Sequence, residues 1–158
     1  MNRAMSATLT VTENEDEVVF VIGGAITEAV DFAPLIEKAG KRVRIDLSLI
    51  ERINSYGIRN WIHFLAALSA RGGDVALDRC AVPMVRQMNM IPSALGSARV
   101  LSVQVPYYCP TCDDERVRLL ELLPGQKPTP PAGSQCPTCG DNLELDERPE
   151  AYFGFWKA

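Results

Sequence analysis

Residues 42–78 read RVRIDLSLIERINSYGIRNWIHFLAALSARGGDVALD. Apolar and charged side chains alternate over Arg42–Leu47, which predicts a β-strand with one buried face. Apolar residues at helical spacing follow this strand, namely Ile58, Trp61, Ile62, Leu65 and Leu68. We expect Asn54 or Ser55 to cap this helix and Gly72-Gly73 to end it. The stretch therefore predicts a strand followed by an amphipathic helix.

Strands and helices also alternate outside this stretch. Val18–Ile22 is a continuous apolar run that predicts a buried strand, with Gly23-Gly24 as the turn after it. The alternating segment Thr8–Thr12 is expected to pair with that strand in the antiparallel sense. Helical spacing of apolar residues predicts a helix over 31–40. A short apolar run over Asp74–Leu77 predicts a further strand.

The last elements of this region are a helix over Pro83–Asn89 and a strand over Ala98–Val105. Residues 1–106 are therefore expected to form an α/β domain in which helices pack on a mixed β-sheet. The methionines of the predicted helix are interpreted as core residues; they are Met84, Met88 and Met90. Cys80 is expected to be a buried or half-buried thiol rather than a nucleophile.

Composition limits the classes of partner. The chain has 158 residues, a formal net charge of −4 and a pI near 5.0, which argue against general affinity for nucleic acid or anionic membranes. No apolar run approaches the roughly 20 residues that span a bilayer, and residues 1–10 do not have the pattern of a secretion signal. The expectation is a cytoplasmic protein without membrane contact.

Four of the five cysteines occur in two Cys-Pro-Thr-Cys motifs, at residues 109–112 and 136–139. Two thiolates three positions apart can bind one ion from a tight turn, and two such pairs complete a tetrahedron. Cys109, Cys112, Cys136 and Cys139 are therefore predicted to hold one structural zinc ion. Iron in the same four-sulfur site and a redox-active Cys-x-x-C are the alternatives.

From Cys109 to about Glu147 the sequence resembles a zinc ribbon, in which two such motifs are joined to short strands. Residues 107–148 are accordingly predicted to be a small four-cysteine module, followed by an aromatic tail over 149–158. Acidic residues flank both motifs, which disfavours binding to phosphates. The tail either covers apolar surface of its own chain or contacts a partner.

Several motifs of the α/β region resemble the STAS domain, the module of sulphate transporters and anti-sigma-factor antagonists. They are Gly24-Ala25-Ile26-Thr27, Arg44-Ile45-Asp46-Leu47-Ser48, Ile53-Asn54-Ser55-Tyr56-Gly57-Ile58 and Arg71-Gly72-Gly73-Asp74-Val75-Ala76-Leu77. The resemblance covers about two thirds of the chain, from Thr8 to Val105. It implies a STAS-like fold and a role in bacterial signalling.

The resemblance also implies a site. In anti-sigma-factor antagonists a serine at the start of the second helix is phosphorylated by a partner kinase, and the matching residue is Ser55. The implied partner surface is Asn54, Ser55, Tyr56 and Gly57. A phosphate is physically compatible with this position, because free N–H groups and the helix dipole favour negative charge there. The alternative is that Ser55 only caps the helix.

No arrangement of residues indicates an enzyme. His63, the single histidine, is expected at the surface without a catalytic partner. The leading interpretation is a non-catalytic protein-interaction module, with self-association as a further option. Two alternatives are a nucleic-acid-associated regulator that uses the ribbon, and an electron carrier with iron in the four-cysteine site.

Overall fold

Two β-sheets and four α-helices make up the part of the chain that the computed structural model describes, residues 6–132 and 134–157. The strands are β1 Thr8–Glu13, β2 Val18–Ile26, β3 Arg42–Ile53, β4 Asp74–Asp78, β5 Arg99–Val100, β6 Ser102–Cys109, β7 Asp114–Glu121 and β8 Glu144–Leu145. The helices are α1 Ala33–Lys38, α2 Ser55–Ala70, α3 Val82–Met90 and α4 Pro149–Tyr152. No helix among these residues is long and apolar enough to cross a bilayer.

The first sheet has the strand order β1-β2-β3-β4-β5. Its β1–β2 pair is antiparallel and the other three pairs are parallel, which confirms the predicted mixed sheet. Parallel neighbours need crossover connections, and right-handed crossovers that advance in one direction place α1, α2 and α3 on the same face. Aromatic rings fill the space under these helices, and Phe32 stacks on Phe64 at 4.6 Å between ring centroids.

Strand β2 departs from the sequence prediction. It continues through Gly23-Gly24 to Ile26, so the prediction of a turn at these glycines is wrong. The pairing with β3 instead shifts register between Val21 and Gly23 and again between Gly24 and Ala25. Each shift adds one residue to β3, so β3 bulges opposite the glycines, and Gly24 itself has φ +78°. A side chain at Gly23 would place its Cβ 2.7 Å from the Cβ of Leu49, so the close strand contact requires glycine.

The start of α2 also depends on a close contact, here between the helix and the end of β2. Asn54 is the N-cap, and its Oδ1 accepts a hydrogen bond of 2.7 Å from the backbone N–H of Gly57. Ser55 is the first helical residue, so the alternative that Ser55 caps the helix is wrong. A Cβ on Gly57 would lie 2.0 Å from the carbonyl oxygen of Ile26. The helix can therefore reach the end of β2 only with glycine at this position.

The predicted strand Ala98–Val105 is divided in two. Arg99–Val100 pairs with β4, whereas Ser102–Cys109 pairs with β7 and β8 in a second sheet of order β7-β6-β8. The two sheets meet at Cys80, whose N–H donates to the carbonyl of Ser102 and whose carbonyl accepts from the N–H of Gln104. Strand β6 thus runs without a break across the predicted boundary between residues 106 and 107.

The C-terminal tail packs on its own chain. Tyr152, Phe153 and Phe155 are buried in the main core. The Asn89 side chain holds the tail from both sides, because its Nδ2 donates to the carbonyl of Tyr152 and its Oδ1 accepts from the N–H of Phe155, both at 2.8 Å. Of the two options for the tail, coverage of its own apolar surface is therefore the one that the structure contains.

We expect Gly57→Ala to destabilise the protein by about 3 kcal/mol or more, because its Cβ overlaps a backbone carbonyl that is held in the sheet and cannot move away. Gly72→Ala is the matched control, since a Cβ there meets nothing within 4 Å and only the left-handed φ of +76° is strained, at about 1 kcal/mol. Urea unfolding measures both variants. Equal losses would contradict the close approach at Gly57.

Candidate metal centre

Two turns carry the four cysteines. Cys109 is the last residue of β6, and the turn 110–113 leads directly into β7, so Cys112 lies in the hairpin between these strands. The second turn lies between Gln135 and Asn142, which form an isolated antiparallel bridge. Each Cys-Pro-Thr-Cys motif therefore occupies the bend of a short antiparallel pairing.

The four sulfur atoms form one cluster. All lie within 4.8 Å of one another, and the Sγ atoms are 3.5 Å apart for Cys109 and Cys139 and 3.9 Å apart for Cys112 and Cys136. Tetrahedral bonds of about 2.3 Å from sulfur to a central zinc ion require sulfur separations of about 3.8 Å. The spacing therefore fits one ion held by all four cysteines, as the sequence predicted.

Each turn directs backbone N–H groups at a sulfur. The N–H of Cys112 approaches the Sγ of Cys109 at 3.4 Å. In the second turn the N–H groups of Cys139 and Thr138 lower the pKa of the Cys136 thiol to about 6. Such contacts stabilise the thiolate, which is the form of cysteine that binds a metal.

The first turn shows why a cation is needed. The pKa of the Cys112 thiol is raised to about 12, because the thiol hydrogen-bonds to the sulfur of Cys139 and is partly removed from water. Four ionised thiols at this spacing repel one another, so they cannot all lose their protons without a positive ion between them. A divalent cation supplies that charge and displaces the remaining protons.

Both turns end in the left-handed conformation. The residue after the second cysteine of each motif has positive φ, +52° at Asp113 and +77° at Gly140. Gly140 also donates its N–H to the carbonyl of Cys136 at 2.8 Å, which closes the second turn. The two motifs thus repeat in conformation as well as in sequence.

Hydrogen bonds between polar side chains connect the two turns. Thr111 of the first motif donates to the Asp141 carboxylate, and Arg116 of β7 donates to Thr138 of the second motif at 2.8 Å. Sequence reasoning missed these four residues. The available signal was the threonine at the third position of both motifs, Thr111 and Thr138, where each now bonds to the opposite side of the centre.

The site is closed. Cys109 and Cys136 are buried, Cys112 is half-buried and Cys139 is exposed. Four protein ligands fill a tetrahedron and leave no position for water or substrate, which is typical of a structural rather than a catalytic site. The buried side of the centre continues into the core through Tyr107, which lies two residues before Cys109 in the same strand.

The remaining predicted residues lie elsewhere. Asn54, Ser55 and Tyr56 are exposed at the start of α2, while Gly57 is buried. His63 is exposed and Cys80 is buried, as predicted, and burial raises the pKa of the Cys80 thiol. Met84 and Met88 lie in the core, but Met90 is 70% exposed, so its assignment to the core is wrong.

No protein-family model matches the chain, and no curated protein matches it. The class that the fold and the site define is therefore a mixed α/β protein with four clustered cysteines whose spacing fits a metal ion. The STAS resemblance stays a prediction.

We expect purified, reduced protein to contain one metal ion per chain, and Cys136→Ser to lose it, because a hydroxyl does not replace the buried thiolate of the tetrahedron. Elemental analysis measures the content. Chelation is expected to open the segment 124–147 to proteases while the core sheet stays folded, since β6 is also held by the core. The control is Cys80→Ala, which should keep the full metal content. Metal-free native protein would contradict the assignment.

Proposed function

We propose that this protein is a non-catalytic protein-interaction module of bacterial signalling, similar to anti-sigma-factor antagonists, and that it contacts its partner through the exposed start of α2. The observation that carries the proposal is the presentation of Ser55 and Tyr56 on a helix start that is anchored to the sheet. The four-cysteine centre has a structural role in this proposal.

The anchoring makes the surface rigid. Gly57 lets α2 approach the Ile26 carbonyl, and the Asn54 N–H also donates to that carbonyl at 3.1 Å. The Asn54 side chain caps the helix and its Nδ2 donates to the Glu28 carboxylate at 3.0 Å. A surface that does not need ordering on binding loses less conformational entropy, which favours its use as a docking site.

Tyr56 is the prominent group of this surface. Its side chain is 61% exposed although it is large and aromatic. Tyrosine is enriched among the residues that dominate binding energy at protein interfaces, because the ring is apolar and rigid and the hydroxyl remains able to bond. We propose Tyr56 as the main partner contact.

Phosphorylation of Ser55 is the proposed switch. Ser55 is exposed in the first turn of α2, where backbone N–H groups and the helix dipole stabilise a phosphate of about −1.5 to −2 charge. Arg59 is exposed four residues later on the same helix face and can pair with that phosphate. The Glu28 carboxylate next to Asn54 would be repelled, so the modified surface would differ from the unmodified one.

Zinc is the proposed ion in the four-cysteine centre. A tetrahedral set of four thiolates suits zinc and also iron, and zinc supplies stability without redox chemistry. Exposed acidic side chains surround the turns; they are Asp113, Asp114, Glu115, Asp141 and Glu144. This negative charge supports a protein partner for the ribbon rather than nucleic acid. Elemental analysis and the colour of the purified protein distinguish zinc from iron.

We expect Tyr56→Ser and Ser55→Asp each to weaken binding to an anti-sigma-like partner from the same genome by roughly 30-fold, since a binding hot spot contributes about 2 kcal/mol. Ser55→Ala should bind normally. The control is His63→Ala, which changes an exposed residue of the same helix. Isothermal titration calorimetry with metal-loaded protein measures the affinities. Unchanged affinity of Tyr56→Ser for every partner recovered from cells would contradict the proposed surface.

A further inference from the structure

Strand β7 has an open edge. In the second sheet β7 pairs with β6, and within residues 6–132 and 134–157 no strand pairs with its other side. Half of the N–H and C=O groups of this eight-residue strand therefore point away from the sheet. An edge of this kind can accept an added strand from another chain through backbone hydrogen bonds.

One face of β7 exposes large apolar side chains to solvent. Val117 and Leu119 project from the same face and are 53% and 49% exposed, and Leu123, just beyond the strand, is 55% exposed. Glu115 and Glu121 lie on that face at either end of the apolar pair. Neighbouring apolar side chains of this size, exposed and bordered by charges, are typical of an interaction site.

The apolar surface continues into a cleft. A cavity of about 350 Å³ lies between β7 and the first sheet, with Leu119 and Leu123 on one side and Asp78 and Arg79 on the other. Leu122 contributes to the same wall. A partner side chain that lies against Leu119 can therefore enter a depression rather than rest on a flat surface, which increases the apolar area that binding removes from water.

A second copy of the chain does not fit this edge well. Antiparallel self-pairing that places Val117 opposite Leu119 also places Glu115 opposite Glu121 at both ends. The same register places Arg118 opposite its own copy at the centre. Like charges directly opposite each other destabilise a strand pair, so the charge pattern disfavours self-pairing in the register that joins the apolar pairs, and favours a different chain.

We propose that β7 binds an extended segment of a partner protein by strand addition, and that this segment has two alternating apolar residues flanked by a cation on each side. The cations face Glu115 and Glu121, the apolar residues face Val117 and Leu119, and an acidic residue between them faces Arg118 on the opposite side. This inference rests on the proposed function, in which the protein binds other proteins. It specifies the chemistry of the partner segment that the ribbon would bind.

The probe is the blocked peptide Lys-Thr-Val-Glu-Val-Thr-Lys, which has the same sequence in both directions and therefore tests parallel and antiparallel addition together. Added at millimolar concentration to ¹⁵N-labelled, metal-loaded protein, it should shift the amide resonances of residues 114–123. The control peptide Lys-Val-Thr-Glu-Thr-Val-Lys has the same composition with both valines on the other face. It should bind roughly fivefold more weakly or not at all.

Variants separate this site from the α2 surface. The double variant Val117→Thr, Leu119→Thr keeps strand-forming residues and should weaken peptide binding roughly fivefold. Met90→Thr removes an even more exposed apolar residue elsewhere, and Tyr56→Ser alters the α2 surface; both variants should bind the peptide normally.

The inference would be overturned by equal binding of the two peptides, by resonance shifts that lie outside β7, or by sedimentation that shows a dimer which the double variant Val117→Thr, Leu119→Thr dissociates. None of these results affects the proposed α2 surface, which has its own calorimetric test. A loss of binding only in Tyr56→Ser would assign the peptide to that surface and would likewise overturn strand addition at β7.

Discussion

Strand β6 packs in the main hydrophobic core and is also the central strand of the second sheet. The arrangement of the C-terminal third depends on this double role. Val103 and Val105 lie in the main core, the next inward residue is Tyr107, and the strand ends at Cys109 of the four-cysteine cluster. Hydrophobic burial therefore positions the first cysteine before any ion binds. The second pair of cysteines has only the short strand β8 and one bridge near it, so we expect a bound ion to contribute most to the stability of that part of the chain.

Close backbone contacts have a corresponding role in the α/β region. Gly23 and Gly57 both lie where a Cβ would overlap a neighbour, and together they bring β2, β3 and the start of α2 into contact. The Asn54 cap and its bond to Glu28 complete this junction. The exposed residues Ser55 and Tyr56 are thus held by a framework that is itself buried and well packed, which suits a recognition surface.

The two proposed contact surfaces differ in their physical basis. At α2 a rigid helix start presents an aromatic ring and a hydroxyl, so affinity can be changed by the charge of a phosphate. At β7 backbone hydrogen bonds supply affinity and the alternation of apolar and acidic side chains supplies selectivity. A module with these surfaces can contact two chains, or two segments of one chain, without a catalytic group.

Local sequence patterns determined the order of strands and helices, the amphipathic face of α2 and the set of four cysteines, because periodicity and ligand spacing are properties of neighbouring residues. Only the tertiary structure decided whether the chain turns at Gly23-Gly24 or continues there as a strand, since glycine permits both and the pairing with β3 selects one. It also divided the segment 98–105 between two sheets and buried Phe153 and Phe155 of the tail. These outcomes depend on partners distant in the chain, and no local pattern contains that information.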